Sequence, residues 1–395
     1  MSARMGVISV GLCVLFGFTA IFGRFASGPI ARAADPGPPP IPPLLQVNNL
    51  GVIGQNPDIY GRDGTYSALV NGRSVWTFGD TPLAVPGQSG DHWVDNSLSW
   101  TNDLDASDGI TLEHDHLDKT GAPAEFLPYT SAERRYNYLH DDDHCRAIPC
   151  GAEYALWAGH IVPDPTRNRV LLFYSEIWRK TGQPDWTYIG SGIAVKEGSG
   201  PITRPIQNPG SPNPTLMWTD AAGEVGLDGG YVIEGALLYA YGCKAGFLVM
   251  DCQVGRVPLA EALDKTQWRY YAGDGVWSAN QADAVIIFNG GAAGQTVFYV
   301  PYLGMYMAVY SGVFSDDVFY RVAWTPWGPW SEEAFLFTAL PGWEGNFSYA
   351  GRAHPEFAEQ DGRVQYITYV HTTGFLRFDL PLMQVVFGDP QHPNR

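Results

Sequence analysis

Gly72-Arg73-Ser74-Val75-Trp76-Thr77-Phe78-Gly79-Asp80-Thr81 reads as a short β-strand, apolar on both faces, that stops at Gly-Asp-Thr. Upstream, Asp58-Ile59-Tyr60-Gly61-Arg62-Asp63-Gly64 ends a first short run, and Thr65 to Val70 reads as the neighbouring strand. Two acids, Asp63 and Asp80, therefore fall near the ends of adjacent strands. Acids at strand ends of a β scaffold line a shared cleft, and paired carboxyl groups are what glycosidases work with.

The same grammar continues along the chain. Arg169–Ser175, Gly235–Tyr241, Thr296–Val300, Tyr306–Ser311 and Val364–Tyr369 are short aromatic-rich runs separated by Gly, Pro, Asn and Asp. A turn of Gly or Asn with Arg precedes several of them: Asn71-Gly72-Arg73, Arg167-Asn168-Arg169 and Asp361-Gly362-Arg363. Beyond about residue 45 no long amphipathic helix is expected, and only Ala260 to Thr266 suggests one helical turn. Four-stranded units of roughly 50 to 70 residues are what a β-propeller produces, and about five fit between residues 45 and 388. The expected fold is all-β, a five-bladed β-propeller; a pair of β-sandwiches is the rival, but no linker divides the chain. The C-terminal run from Gly374 to Phe387 is expected to pair with the first strand and close the ring, which removes sheet edges.

The first 34 residues read as a signal peptide: Arg4, an apolar run from Gly6 to Gly23, and the cleavage-like Ala31-Arg32-Ala33. An uncleaved membrane anchor is the alternative, since the run is about as long as a short span. Residues 35–46, rich in proline, read as a stiff spacer; 47–388 form the propeller and 389–395 a tail. Setting Cys13 aside leaves Cys145, Cys150, Cys243 and Cys252 in two close pairs. An exported chain sits in an oxidising compartment, so disulfides Cys145–Cys150 and Cys243–Cys252 are expected, with zinc the lesser alternative. The net charge of −17 argues against nucleic acid and anionic membranes as partners. The 13 Trp and 21 Tyr suit either a core or stacking on the apolar faces of sugars.

Tyr306 to Ser311, followed by Phe319-Tyr320-Arg321-Val322-Ala323-Trp324-Thr325-Pro326-Trp327-Gly328-Pro329-Trp330-Ser331, resembles the penultimate-blade signature of five-bladed sugar-cleaving propellers. With the Phe-Gly-Asp-Thr stretch and the His354-Pro355-Glu356 turn, the chain resembles an exported bacterial family long labelled a domain of unknown function. Some members of that family are endo-D-arabinanases of mycobacterial cell-wall arabinan. The resemblance spans residues 48 to 388. It implies a funnel at the propeller axis, lined by the innermost strand of each blade, with Asp80 matching the Gly-Asp-Thr motif and Asp63 the acid in the strand before it. The long segment from Gly87 to Cys150 departs from simpler members.

The candidate catalytic carboxyls are Asp63, Asp80 and Glu234, the last being a lone acid in Tyr231-Val232-Ile233-Glu234-Gly235 that is costly to bury unless it is paired or functional. Glu153, Trp157, His160, Trp277 and His354 are the candidate substrate contacts, with Glu176 a weaker alternative acid. Each has a bland rival: a turn cap for Asp80, a solvent-facing edge for Glu234, core packing for the tryptophans. Asp141-Asp142-Asp143-His144 lacks calcium-loop spacing and reads as a solvated loop. No metal or cofactor is required by the chemistry, and no stable protein partner is expected; a membrane enters only if the N-terminal segment stays uncut. The expected activity is a secreted glycoside hydrolase acting inside arabinan-type polysaccharide. The alternative is a non-catalytic propeller that binds envelope glycan.

Overall fold

The computed structural model describes residues 37–88, 90–182, 186–246 and 249–390. The expected signal or anchor segment and most of the tail lie outside these. Five antiparallel sheets stand around one axis as a five-bladed propeller. From the axis outward, blade one runs Tyr66–Val70, Arg73–Phe78, Ser97–Thr101 and His114–Asp115; blade two runs Ala152–Asp164, Arg169–Lys180, Trp186–Glu197 and Ile202–Thr203. Blade three runs Gly230–Glu234, Leu237–Ala245, Met250–Pro258, Arg269–Tyr271 and Trp277–Ser278. Blade four runs Ala292–Val300, Met305–Ser311, Asp317–Ala323 and Ala334–Thr338, and blade five Tyr349–Ala353, Val364–Gly374, Pro381–Phe387 and Leu44–Val52.

Each blade buries both faces against its neighbours, so the strands read as apolar on both sides. Blades one and five meet through Trp76, Phe78, Tyr366 and Leu382, and blades four and five through Val309, Val322, Ile367 and Val385. The other three interfaces hold comparable cores. The turn motifs sit at equivalent places, between the first and second strands of their blades. Asn71 and Gly72 both have positive φ, 52° and 79°, the geometry of a two-residue type I′ hairpin. Asn168 and Asp361 take the same left-handed form.

The N-terminal strand Leu44–Val52 completes blade five by pairing antiparallel with Pro381–Phe387, so the ring is closed by joining the two ends of the chain. The proline-rich stretch before it is laid on the propeller: Pro39 and Pro42 are buried, and the Pro42 carbonyl accepts from the Tyr320 hydroxyl at 2.6 Å. A buried polar chain crosses the seam between first and last blades. His354 Nδ1 meets Ser67 Oγ at 2.6 Å, its Nε2 meets Thr368 Oγ1 at 2.7 Å, and Thr368 bonds Thr65 at 3.1 Å.

Two local expectations change. The segment after Gly87 holds an α-helix, Ser131–His140, started by a capping box in which Thr130 and Glu133 satisfy each other's backbone N–H. The Thr-x-x-Glu spacing was its sequence signal. Ala260 to Thr266 is not one turn but parts of two 3₁₀ turns, Leu259–Glu261 and Lys265–Gln267. Both disulfides, Cys145–Cys150 and Cys243–Cys252, are formed.

Candidate active site

The inner strands all start at one end of the axis, and there they surround a cavity of about 590 Å³. Asp63 is set there by backbone pairing: its N–H donates to the Asp80 carbonyl at 2.9 Å, and its carbonyl accepts from the Gly79 N–H at 2.7 Å. The strand end at Gly-Asp-Thr is therefore what aims Asp63 at the axis. Asp228 enters from blade three, just before Gly230–Glu234. Both carboxyls open on the funnel and are enclosed by protein elsewhere.

Between them stands Arg352, from the inner strand of blade five, 1% exposed. Its Nη2 bonds the Tyr66 hydroxyl at 2.8 Å and also reaches the Ala293 carbonyl, with the guanidinium 4.3 Å over the Tyr66 ring. Its Nε and Nη1 have no protein partner. Room for it comes from Gly294, at φ 82°, where a Cβ would lie 2.9 Å from Nη2. Burial raises the pKa of Asp63, opposed by a hydrogen bond from Tyr349, one from the Gly64 backbone and the charge of Arg352. Burial likewise raises Asp228, opposed by hydrogen bonds from the Ser175 hydroxyl and its own backbone and by Arg352. One cation thus faces two carboxyls, and the set readily holds a proton.

Asp80 lies one step behind Asp63, outside the funnel lining. Arg179 Nη1 grips both its oxygens at 2.8 and 3.0 Å, and Trp93 Nε1 donates at 3.3 Å. Burial still outweighs Arg179, and with the nearby charge of Asp63 it lifts Asp80 to about 6. The same guanidinium bonds Glu153 at 2.7 Å and reaches Asp95, while Glu125 accepts from the Asp95 N–H at 3.1 Å. In this crowd of carboxyls burial and Asp95 push Glu125 to about 8.

The remaining candidates divide. Trp157 lines the funnel and meets Trp186 edge-on at 4.9 Å, Trp186 being 51% exposed. His160 is buried at the waist of the axis between Tyr66 and Tyr231, at 4.5 and 5.5 Å, and burial lowers its pKa to about 3, so it is neutral. It faces a second cavity of about 380 Å³ toward the other end. Glu153 is held by Arg179 beside the funnel rather than in it. Glu176 is paired with Arg204 at 3.0 Å in the interior.

Three placements differ from expectation. Glu234 ends the inner strand of which Asp228 stands at the start, six residues on. At about 3.3 Å per residue it is roughly 20 Å away, at the opposite mouth. It is exposed and accepts from the Tyr306 hydroxyl at 2.7 Å. Trp277 lies on the outer edge of blade three, packed with Tyr271 and Trp327 and covered by Arg256 at 4.0 Å. His354 is fully buried in the blade seam, stacked on Trp76 at 4.2 Å and held neutral by burial, with a pKa of about 3. Glu234→Gln is accordingly expected to change turnover less than about twofold, as a surface substitution does; initial rates on any substrate found will check this.

Asp228 and Arg352 were not foreseen. A signal for Asp228 was present: Asp63-Gly64-Thr65-Tyr66 and Asp228-Gly229-Gly230-Tyr231 share Asp-Gly-x-Tyr at the entry to an inner strand. Cys243 lines the funnel wall and pairs across its hairpin with Cys252, so the disulfide braces that wall. Among the described residues no group of three or more His, Cys, Asp or Glu is arranged to hold a metal. Asp141 caps the backbone N–H groups of Asp143 and His144 at 2.9 and 3.0 Å.

Fold and cleft define a five-bladed propeller with an acidic axial funnel. The chain belongs to the DUF4185 family, described as a domain of unknown function, whose profile matches residues 58–375. Among solved structures it is similar to a provisionally assigned hydrolase of Bacteroides ovatus, with 17% identity over 85% of this chain and 86% of that one and a TM-score of 0.56. It is also similar to a family 117 glycoside hydrolase of the marine bacterium Zobellia galactanivorans, with 10% identity over 86% and 90% of the chains and a TM-score of 0.50. At these identities the likeness establishes the fold. No curated protein matches the chain.

Proposed function

We propose that the protein is an exported glycoside hydrolase that cuts within arabinan-type polysaccharide, with Asp63 and Asp228 as its working carboxyl pair. The observation that carries the reading is two carboxyls converging on one funnel floor around a single guanidinium. Glycosidic cleavage needs a proton delivered to the leaving oxygen and a carboxylate on the far side of an oxocarbenium-like transition state. Two acids facing one counter-charge, both raised by burial, can supply one protonated and one ionised group. Asp80 stands behind Asp63 as a support rather than a reacting group, gripped by Arg179 and joined to Asp63 through the backbone. Trp157 and Trp186 give a sugar ring an apolar wall. Similarity to a glycoside hydrolase fold supports the reaction class, and two disulfides suit an oxidising compartment.

The test is release of oligosaccharides by the mature chain from arabinogalactan, with galactan, xylan and agarose run in parallel. Fragments of several sugars from arabinogalactan alone are expected. Retention of the glycan without cleavage would replace the reading with a binding propeller.

A further inference from the structure

Three loops at the funnel end of blades four and five carry large apolar side chains into solvent. Phe314 is 75% and Phe375 78% exposed, and Trp343, Phe347 and Leu376 stand out beside them. Singly such residues are ordinary; a cluster of them on a folded surface marks an interaction site.

The loops are one surface. Phe314 lies between Met305–Ser311 and Asp317–Ala323, Trp343 and Phe347 between Ala334–Thr338 and Tyr349–Ala353, and Phe375 between Val364–Gly374 and Arg377–Asp379. Asp316 ties the first two: its carboxylate accepts from the Ser348 N–H and its carbonyl from the Ala339 N–H, both at 2.8 Å. His371 Nε2 meets the Pro341 carbonyl at 3.1 Å and ties the third. Register places all three at the funnel end. Ser311 pairs with Ala292, at the start of an inner strand, and Val370 pairs with Tyr349, which lines the funnel. The surface then runs on to the catalytic pair. Arg377 stacks over Tyr60 at 4.3 Å and the Phe378 N–H reaches the Tyr60 carbonyl at 3.4 Å, three residues before Asp63.

Each loop also holds a non-glycine residue in the left-handed region: Phe314 at φ 54°, Glu344 at 52° and Leu376 at 54°. Bulky side chains rarely adopt it, and such strain persists where the surroundings over-determine it, commonly at functional surfaces.

We propose that these loops form a stacking track for a neutral polysaccharide, continuing from the funnel over blades four and five, so that the enzyme grips a chain of several sugars beyond the bond it cuts. The track rests on the glycosidase reading. Exposed aromatic faces suit the C–H faces of sugar rings. The chain's charge of −17 disfavours anionic lipid as the occupant, and continuity with the funnel favours the substrate itself.

The experiment uses the double variant Phe314→Ala/Phe375→Ala, whose side chains are exposed enough for folding to be retained. Two readouts are compared with the parent chain: kcat/KM on arabinogalactan against kcat/KM on a short arabino-oligosaccharide, and retention on insoluble arabinogalactan in an Asp228→Asn background. A fall of about tenfold in the polymer-to-oligosaccharide ratio, with weakened retention, is expected. An unchanged ratio with unchanged retention overturns the track. So does loss, in the double variant, of self-association or of binding to zwitterionic vesicles by the parent, which would assign the patch to a second copy or a lipid. If the parent cleaves neither substrate, the glycosidase reading fails, while retention still decides the track.

Discussion

Asp63→Asn and Asp228→Asn are each expected to lower turnover by about 10³-fold or more, the scale of lost acid–base or nucleophilic participation, while the glycan is still bound. Initial rates of reducing-end release, with retention on the polymer, measure this. The same substitutions are expected to raise thermal stability near neutral pH. Both carboxyls have folded-state pKa values above their usual range, because burial penalises the charge. A group of that kind contributes stability that is complete below its unfolded pKa, about 4, and is lost as pH rises through the folded pKa. Asparagine has no charge to bury, so the melting temperatures of parent and variant should converge in acid and separate at neutral pH. Full activity of Asp228→Asn would move the second carboxyl role to Asp80.

Arg352→Met should be the most destabilising single change in the funnel. It leaves two recessed carboxyls without their cation, a loss of about 3–5 kcal/mol for a buried ionic group stripped of its partner. The defect should be largest at neutral pH and shrink near pH 4, where the carboxyls are protonated; urea unfolding at both values will show it. The kinetic mark is distinct. An opposite charge favours the ionised carboxylate, so removing it raises both carboxyls further. The acid limb of the pH–rate profile should then move upward, with turnover at neutral pH reduced about 10²-fold or more. Arg352→Lys, which keeps a charge but not the fork to Tyr66 and Ala293, should restore most of the stability and part of the rate. An acid limb that stays in place in Arg352→Met would show that Arg352 only holds the blade.

Some of this was written locally. The strand ending at Phe78, the turns at Asn71-Gly72, Asn168 and Asp361 and the two disulfides all follow from short-range signals: strand composition, left-handed turn residues and cysteines close in sequence. Asp63 and Asp80 were visible for the same reason, as acids where strands stop. The helix at Ser131–His140 was equally local and marked by its capping box, within a segment whose turns obscured it.

What the chain order could not express was convergence. Asp228 and Glu234 lie on one five-residue strand and its entry, alike as acids beside apolar neighbours, yet the strand's length puts them at opposite mouths of the axis. His354 and Arg352 sit two residues apart, on the same strand and its end, and one is sealed in the seam while the other stands in the funnel. Strand type, turns and disulfides depend on neighbours in sequence, and sequence alone determined them. Which carboxyl meets which cation was decided only when five blades, spread over more than three hundred residues, packed their inner strands around one axis, because charge and burial act through distances in space.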